Sequence, residues 1–224
     1  MSKTIEKIIE VLPQIATAFG QTFYMGFFTL SIAAFIGIPL GTYLYLIRPG
    51  SLMQKPKVYL VLDAAVNIVR SFPFLILLVA IIPFTRLIVG TSLGTTAVIV
   101  PLTISAIPDF ARLIEQTLLE VNRGVIEMAE ASGANMFQII WKALYREARS
   151  GMVGSATLIS ITFISYSTVA GLVGGGGIGD FAIRYGYYRY NPEVMFFTVI
   201  LIILLVQTVQ TAGRIIAVKL DKRI

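Results

Sequence analysis

The chain has 224 residues, of which 56 % are hydrophobic and only 13 % charged, with no His and no Cys. A water-soluble domain carries charge on about a quarter of its residues, so this composition calls for a lipid solvent, and without His or Cys there is no His/Cys zinc site, no Ser-His-Asp or Cys-His nucleophile and no disulfide framework. The net charge of +6 arises without the Lys/Arg blocks that track phosphates, which excludes nucleic acid as a partner.

Ile5, Ile8, Ile9 and Leu12 recur at helical spacing opposite Lys3, Glu6, Lys7 and Glu10, predicting an amphipathic helix on the membrane surface. A hydrocarbon core about 30 Å thick needs about 20 apolar residues per helix. The long stretches poor in acid and base predict five spans, at 20–46, 58–83, 92–113, 152–173 and 194–216. The first stretch is far longer than the h-region of a signal peptide and reads as a retained helix. Within it Ala33, Gly37 and Gly41 put small residues on one face, which permits close helix contact.

Span two carries Asp63, Asn67 and Arg70 at intervals of four and three, on one helical face. Charges near the bilayer centre cost at least about 2.5 kcal/mol, so this stripe points away from lipid. Arg70 reads either as a ligand for a substrate carboxylate or, preferentially, as a structural partner of helix-end carbonyls or of an acid such as Asp109. Span three holds Pro101 and Pro108, which predicts two bends on one face just before Asp109, itself read as structural.

The segment between spans three and four, about 118–150, lacks the Gly/Ser bias of a passive tether. Val125, Met128, Ala129 and Ser132 form one small-to-apolar face and Phe137, Ile140, Trp141 and Leu144 a second, with Gly133 between them. The pattern predicts two short helices forming a knob; helices lying flat on the membrane surface are the other reading.

Span four is rich in hydroxyls, with Ser155, Thr162, Tyr166 and Val169 at spacings of seven, four and three. Such a helix either glues neighbours together or lines a path for a partly polar solute. Gly174 to Gly179 satisfies G-x-G-x-x-G, but it follows a hydrophobic span without the strand-turn-helix context of a dinucleotide site. Gly174, Gly175, Gly176 and Gly177 read instead as a run free to take positive φ, letting an outer loop pack closely or gate. Tyr185, Tyr187, Tyr188 and Tyr190 predict an interfacial aromatic belt, or contacts to a docked protein.

Arg48, Lys55, Lys57, Arg112, Arg123, Lys142, Arg146, Arg149, Arg214, Lys219, Lys222 and Arg223 fall on one side of these spans. Lys3, Lys7, Arg86, Arg184 and Arg189 fall on the other. The larger group marks the cytoplasm, which predicts the N-terminus outside and the C-terminus inside.

The run Glu127-Met128-Ala129-Glu130-Ala131-Ser132-Gly133 resembles the E-A-A-x-x-x-G motif of ATP-binding-cassette importer permeases. That resemblance implies a cytoplasmic coupling helix docking into an ATPase subunit, with Glu127, Ala129, Gly133 and Phe137 as its contact residues. The family pattern ends nine residues later in I-x-L-P; this chain has Ala143, Leu144, Tyr145 and Arg146, without the proline. A closer resemblance, over about residues 20–215, is to the permease subunit of methionine importers of this class. It is carried by Arg48-Pro49-Gly50, Asn67-Ile68-Val69-Arg70-Ser71-Phe72-Pro73-Phe74, the run from Ile82 to Ser92, Val100-Pro101-Leu102-Thr103, and Tyr185-Gly186-Tyr187-Tyr188.

The resemblance implies an all-α integral membrane protein of the bacterial cell membrane, with five transmembrane helices and a coupling loop between helices three and four. It implies a homodimer with two ATPase subunits below and a solute-binding protein above. It also favours span four as the solute path, with Thr162, Tyr166 and Val169 as candidates: hydroxyls for the zwitterion and an apolar wall for the methionine side chain. No G-x-x-x-x-G-K-[ST] sequence occurs, so ATP and Mg belong to the partner and this chain carries no cofactor. The main rival is a secondary transporter or channel driven by an ion gradient through Asp63, Arg70 and Asp109. It leaves the structured loop idle and has no internal repeat behind it. A membrane enzyme is weaker still, since no carboxylates cluster at metal-ligand spacing.

Overall fold

The structure is a computed structural model describing the backbone of residues 2–221 and side chains from residue 9. Every regular element among these residues is helical: α1 (Ser2–Ile47), α2 (Pro56–Ser71), α3 (Phe74–Ala80), α4 (Ile82–Val89), α5 (Thr95–Leu119), α6 (Arg123–Ala131), α7 (Met136–Gln138), α8 (Tyr145–Gly171), α9 (Gly177–Phe181) and α10 (Pro192–Leu220). A π-helical stretch, Ile139–Leu144, joins α7 to α8, and another, Ala182–Tyr187, follows α9. Four helical stretches are long and apolar enough to cross a membrane: Ile9–Ile47, Thr95–Leu119, Met136–Gly171 and Pro192–Leu220. The bent pair α2 and α3 makes a fifth if counted as one.

Three features differ from the pattern read in the sequence. No break separates the amphipathic N-terminal turns from the first apolar stretch, so they form one 46-residue helix, about 70 Å long at 1.5 Å per residue. Of the predicted apolar face, Ile9 and Leu12 are exposed, while the side chains of Ile5 and Ile8 lie outside the described residues. The stretch 58–83 is also not one helix. Pro73 has no N–H to donate and drives Phe72 away from helical angles, so α2 stops at Ser71 and α3 starts at Phe74; Ile81 then separates α3 from α4, which carries Pro83 in its first turn. The second helix of the predicted knob is not short either, because α7, the π-helical stretch and α8 form one 36-residue helix. α5, by contrast, runs unbroken through Pro101 and Pro108.

The chain divides into two compact units, and the four long helical stretches contribute to both. The first comprises α1 up to Ile32, Phe72–Ala106 and Ser160–Val209. Its core is Met25, Phe74, Leu78, Val98, Leu102, Phe163, Ile164 and Ala170, with a satellite of Ile15, Ala18, Phe181 and Val194. The second comprises Ala33–Ser71, Ile107–Ile159 and the chain from Gln210. Ile114, Leu118, Val121, Ile126, Ile139, Leu144 and Ala148 form its main core. In this unit α1 and α5 cross in backbone contact: a Cβ on Gly41 would come within 2.3 Å of the Ala111 carbonyl oxygen, and one on Gly37 within 2.4 Å of Phe110 Cβ. α8 and α10 are tied where Arg149 Nε donates to Leu220 O and Ser150 Oγ to Ala217 O, each at 2.9 Å, which satisfies carbonyls at a helix end.

Candidate functional site

In the second unit, α6 and α7 form a tight helical corner. Asn122 caps α6 through a 2.8 Å bond from Gly124 N. Asn135 and Gln138 form a reciprocal capping box at α7, with bonds of 2.9 and 3.0 Å. Between them Gly133 takes φ +75°, a left-handed angle that L side chains rarely adopt, and its N–H closes the corner onto Glu130 O at 2.9 Å.

The faces are not those that 3.6-residue periodicity predicts. On α6 the buried residue is Ile126, while Met128 is exposed and Ala129 half-buried. After α7 the π-helical register buries Ile139 and Leu144, five residues apart, and turns Trp141 out to the surface, where Phe137, on α7 ahead of that stretch, is exposed as well. The i→i+5 bond from Tyr145 N to Ile140 O marks that register. Phe137, Trp141 and Tyr145 form an aromatic row, with centroids 6.0 and 5.2 Å apart along it. Glu127 is exposed and pairs with Arg123 at 3.3 Å. The corner thus presents Met128, Phe137 and Trp141 as exposed apolar groups beside an acidic residue. A cavity of about 550 Å³ opens next to it, lined by Tyr45, Arg48, Leu52, Arg123, Glu127 and Glu130 among others.

The same unit holds the charges of α2 and α5 in two arrangements. Arg112 is the hub of a closed network: Nη2 donates to Asp63 Oδ1 at 2.5 Å and Asn67 Oδ1 at 3.0 Å, and Nη1 to Glu115 Oε2 at 2.7 Å. Asn67 Nδ2 returns a 3.0 Å bond to Asp63 Oδ2, and Tyr59 donates to Glu115 Oε1, also at 3.0 Å. Arg70 stands apart, with Nε donating to Asp109 Oδ1 at 2.9 Å. The predicted stripe Asp63, Asn67 and Arg70 is therefore met by α5, through Arg112 and Asp109. Tyr59, Arg112 and Glu115 were missed as members. Arg112 was counted among the connections between spans; the structure corrects this to a position within α5, facing Asp63. The i,i+3 spacing of Arg112 and Glu115 inside an apolar helix was the available signal.

In the first unit, Thr162, Tyr166 and Val169 are half-buried on α8. The Tyr166 ring stacks on Phe74 with centroids 4.6 Å apart and planes 4° apart, and Val169 packs against the core. Several hydroxyls of α8 bond back to their own helix, Ser167 and Thr168 both to Ile164 O. Ser155, in the second unit, glues α8 to α5 through Thr117 at 2.9 Å.

The glycine run closes onto α1: Gly177 N donates to Gln21 Oε1 at 2.8 Å and Ile178 N to Thr22 Oγ1 at 2.9 Å. Gly174, Gly176 and Gly177 all have positive φ, and a Cβ on Gly175 would lie 2.7 Å from Val98. α9 then folds back on α8 so closely that a Cβ on Gly179 would sit 2.3 Å from Thr168 Cα. Gly179→Ala is expected to cost about 1–3 kcal/mol by overpacking, read as a lower thermal midpoint of the detergent-solubilised protein. An unchanged midpoint would refute this packing. Beside these elements lies an apolar cavity of about 390 Å³ lined by α1, α8 and α10 residues including Phe23, Phe27, Phe163 and Leu205. At the end of α9, the buried Asp180 is held by Arg184, while Tyr187, Tyr188 and Tyr190 are exposed.

The model of the family described as binding-protein-dependent transport system inner membrane component matches residues 37–224. The chain belongs to this family. It is 49 % identical over 207 residues to the probable D-methionine transport system permease protein MetI of Vibrio cholerae, covering 92 % of each chain. A chain of the inward-facing MetNI methionine ABC transporter is 43 % identical, with TM-score 0.92 over 95 % of this chain and 99 % of that one. A crystal structure of an amino acid ABC transporter with histidines shares the fold, at TM-score 0.73 and 18 % identity. As a member of the family, this permease is an inner membrane transport component and not an enzyme.

Proposed function

We propose that this permease forms, as a homodimer, the translocation path of an ATP-driven, binding-protein-dependent methionine importer. In this reading it crosses the bacterial inner membrane five times, with its N-terminus outside and its C-terminus in the cytoplasm. The likeness to the methionine transporter over nearly the whole chain carries the reading. Two separate ATPase subunits bind ATP and Mg, and a solute-binding protein delivers solute from outside. Glu127, Ala129, Gly133 and Phe137 form the surface on which the ATPase acts. ATP-driven movement at that surface alternates the permease pair between outward and inward access, because the docked states bind the corner differently. Thr162, Tyr166 and Val169 line the path, and Gly174 to Gly177 form the tight outer loop that gates it.

The test is reconstitution of the permease in sealed proteoliposomes with the ATPase and binding protein of its own system. Uptake of labelled methionine that needs both ATP and the binding protein is the expected result. Uptake driven by an ion gradient without ATP would overturn it in favour of a secondary transporter.

A further inference from the structure

We propose that Arg70 and Asp109 form a recognition site for a zwitterionic α-amino acid within the membrane, the guanidinium taking the carboxylate and Asp109 the ammonium. This rests on the amino-acid importer reading above and names the groups that would handle the charged end of the solute.

The two charge clusters of α2 and α5 differ in how complete they are. Around Arg112 both terminal nitrogens and both Glu115 oxygens are engaged, and the side chains of Arg112 and Glu115 are only 14 % and 3 % exposed. That cluster is self-satisfied and closed to a ligand. Arg70 reaches Asp109 through Nε alone, a single bond to Oδ1. The side chains are 37 % and 24 % exposed. The terminal edge of the Arg70 guanidinium is thus left for a planar anion, the geometry in which arginine binds carboxylate through two parallel bonds. Asp109 keeps Oδ2 for a cation.

Position makes this exposure informative. Arg70 lies about 21 Å along α2 from its first residue, and Asp109 about 15 Å along α5 from its last. Asp109 sits in the interior of α5, and Arg70 in the last turn of α2, near the middle of the broken span that α2 and α3 make if counted as one. A charged side chain exposed at such depth faces water or protein, not hydrocarbon. In the importer reading a water-lined path would supply that setting, and a solute on it would meet a cation and an anion already side by side. The bond between Arg70 and Asp109 leaves neither charge alone. With a zwitterion between them, each charge finds its opposite and the ensemble stays neutral, so no net charge is stranded in a low dielectric. A substrate of one sign would leave one partner unmatched, which restricts the site to zwitterions.

The proteoliposome assay tests this with two double variants, Arg70→Gln/Asp109→Asn and Arg70→Asp/Asp109→Arg. The first keeps a hydrogen-bonded link without charge; the second keeps an ion pair but exchanges its ends. Methionine uptake per assembled complex, at subsaturating loaded binding protein, is expected to fall more than tenfold in both. Uptake within twofold of wild type in either variant would make the pair a structural link and overturn the proposal. Failure of both variants to assemble would overturn it in the same way. If the wild-type complex takes up no amino acid with ATP, the importer reading falls and this one with it, a result distinct from loss confined to the variants.

Discussion

Arg112→Met is expected to lower the stability of the folded chain by about 3–5 kcal/mol, the cost of removing one partner from a buried ion pair. Arg112 holds two carboxylates at once, Asp63 at 2.5 Å and Glu115 at 2.7 Å. Removing it strands Glu115, whose side chain is 3 % exposed, with the Tyr59 hydroxyl as its remaining partner among the described residues. The carboxylates can escape only by taking up protons or by opening α2 from α5. The compensated variant Arg112→Met/Asp63→Asn/Glu115→Gln should recover most of the loss, because an uncharged cluster of similar volume has no stranded ion to solvate. Thermal unfolding of the detergent-solubilised protein reads both. A single-variant loss under about 1 kcal/mol, or a triple variant no better than the single, would deny that the network works as an ion cluster.

How far the sequence revealed this structure depended on whether the chemistry was local. The long apolar helices, the corner at Gly133 and the close crossing at Gly37 and Gly41 were legible, because each follows from hydropathy, a left-handed turn residue or small-residue spacing within one segment. The Arg70 to Asp109 contact was legible as one of two readings, since a charge inside a span demands a partner. The network around Arg112 was not. It joins residues 45 to 56 positions apart across two helices, and with Arg112 counted among the connections between spans, nothing along α5 pointed to Asp63. The faces of the corner were misassigned for a different reason. Periodicity assumes 3.6 residues per turn and puts Phe137, Ile140, Trp141 and Leu144 on one face, but Ile139–Leu144 is π-helical, so Leu144 is buried while Trp141 turns out to the surface, as does Phe137 ahead of it on α7.

That outward turn sets the second large effect. Phe137→Ala/Trp141→Ala is expected to weaken ATPase association at least a hundredfold while leaving the thermal midpoint of the permease nearly unchanged. Both rings are exposed, so their loss removes little from the core of the unit, which is built on Ile126, Ile139 and Leu144. At a protein interface the same aromatic groups cost about 2 kcal/mol or more each when truncated. Glu127→Arg should act in the same direction by another route: it turns the pair with Arg123 into a repulsion and presents a cation where the partner meets a carboxylate. The amount of ATPase co-purifying with the permease in mild detergent, together with ATP-driven uptake, reads all of these. If the aromatic row instead lies on the membrane surface among headgroups, the double variant will keep its ATPase and its uptake. That outcome would remove Phe137 and Trp141 from the coupling surface and leave Glu127 to be judged by its own variant.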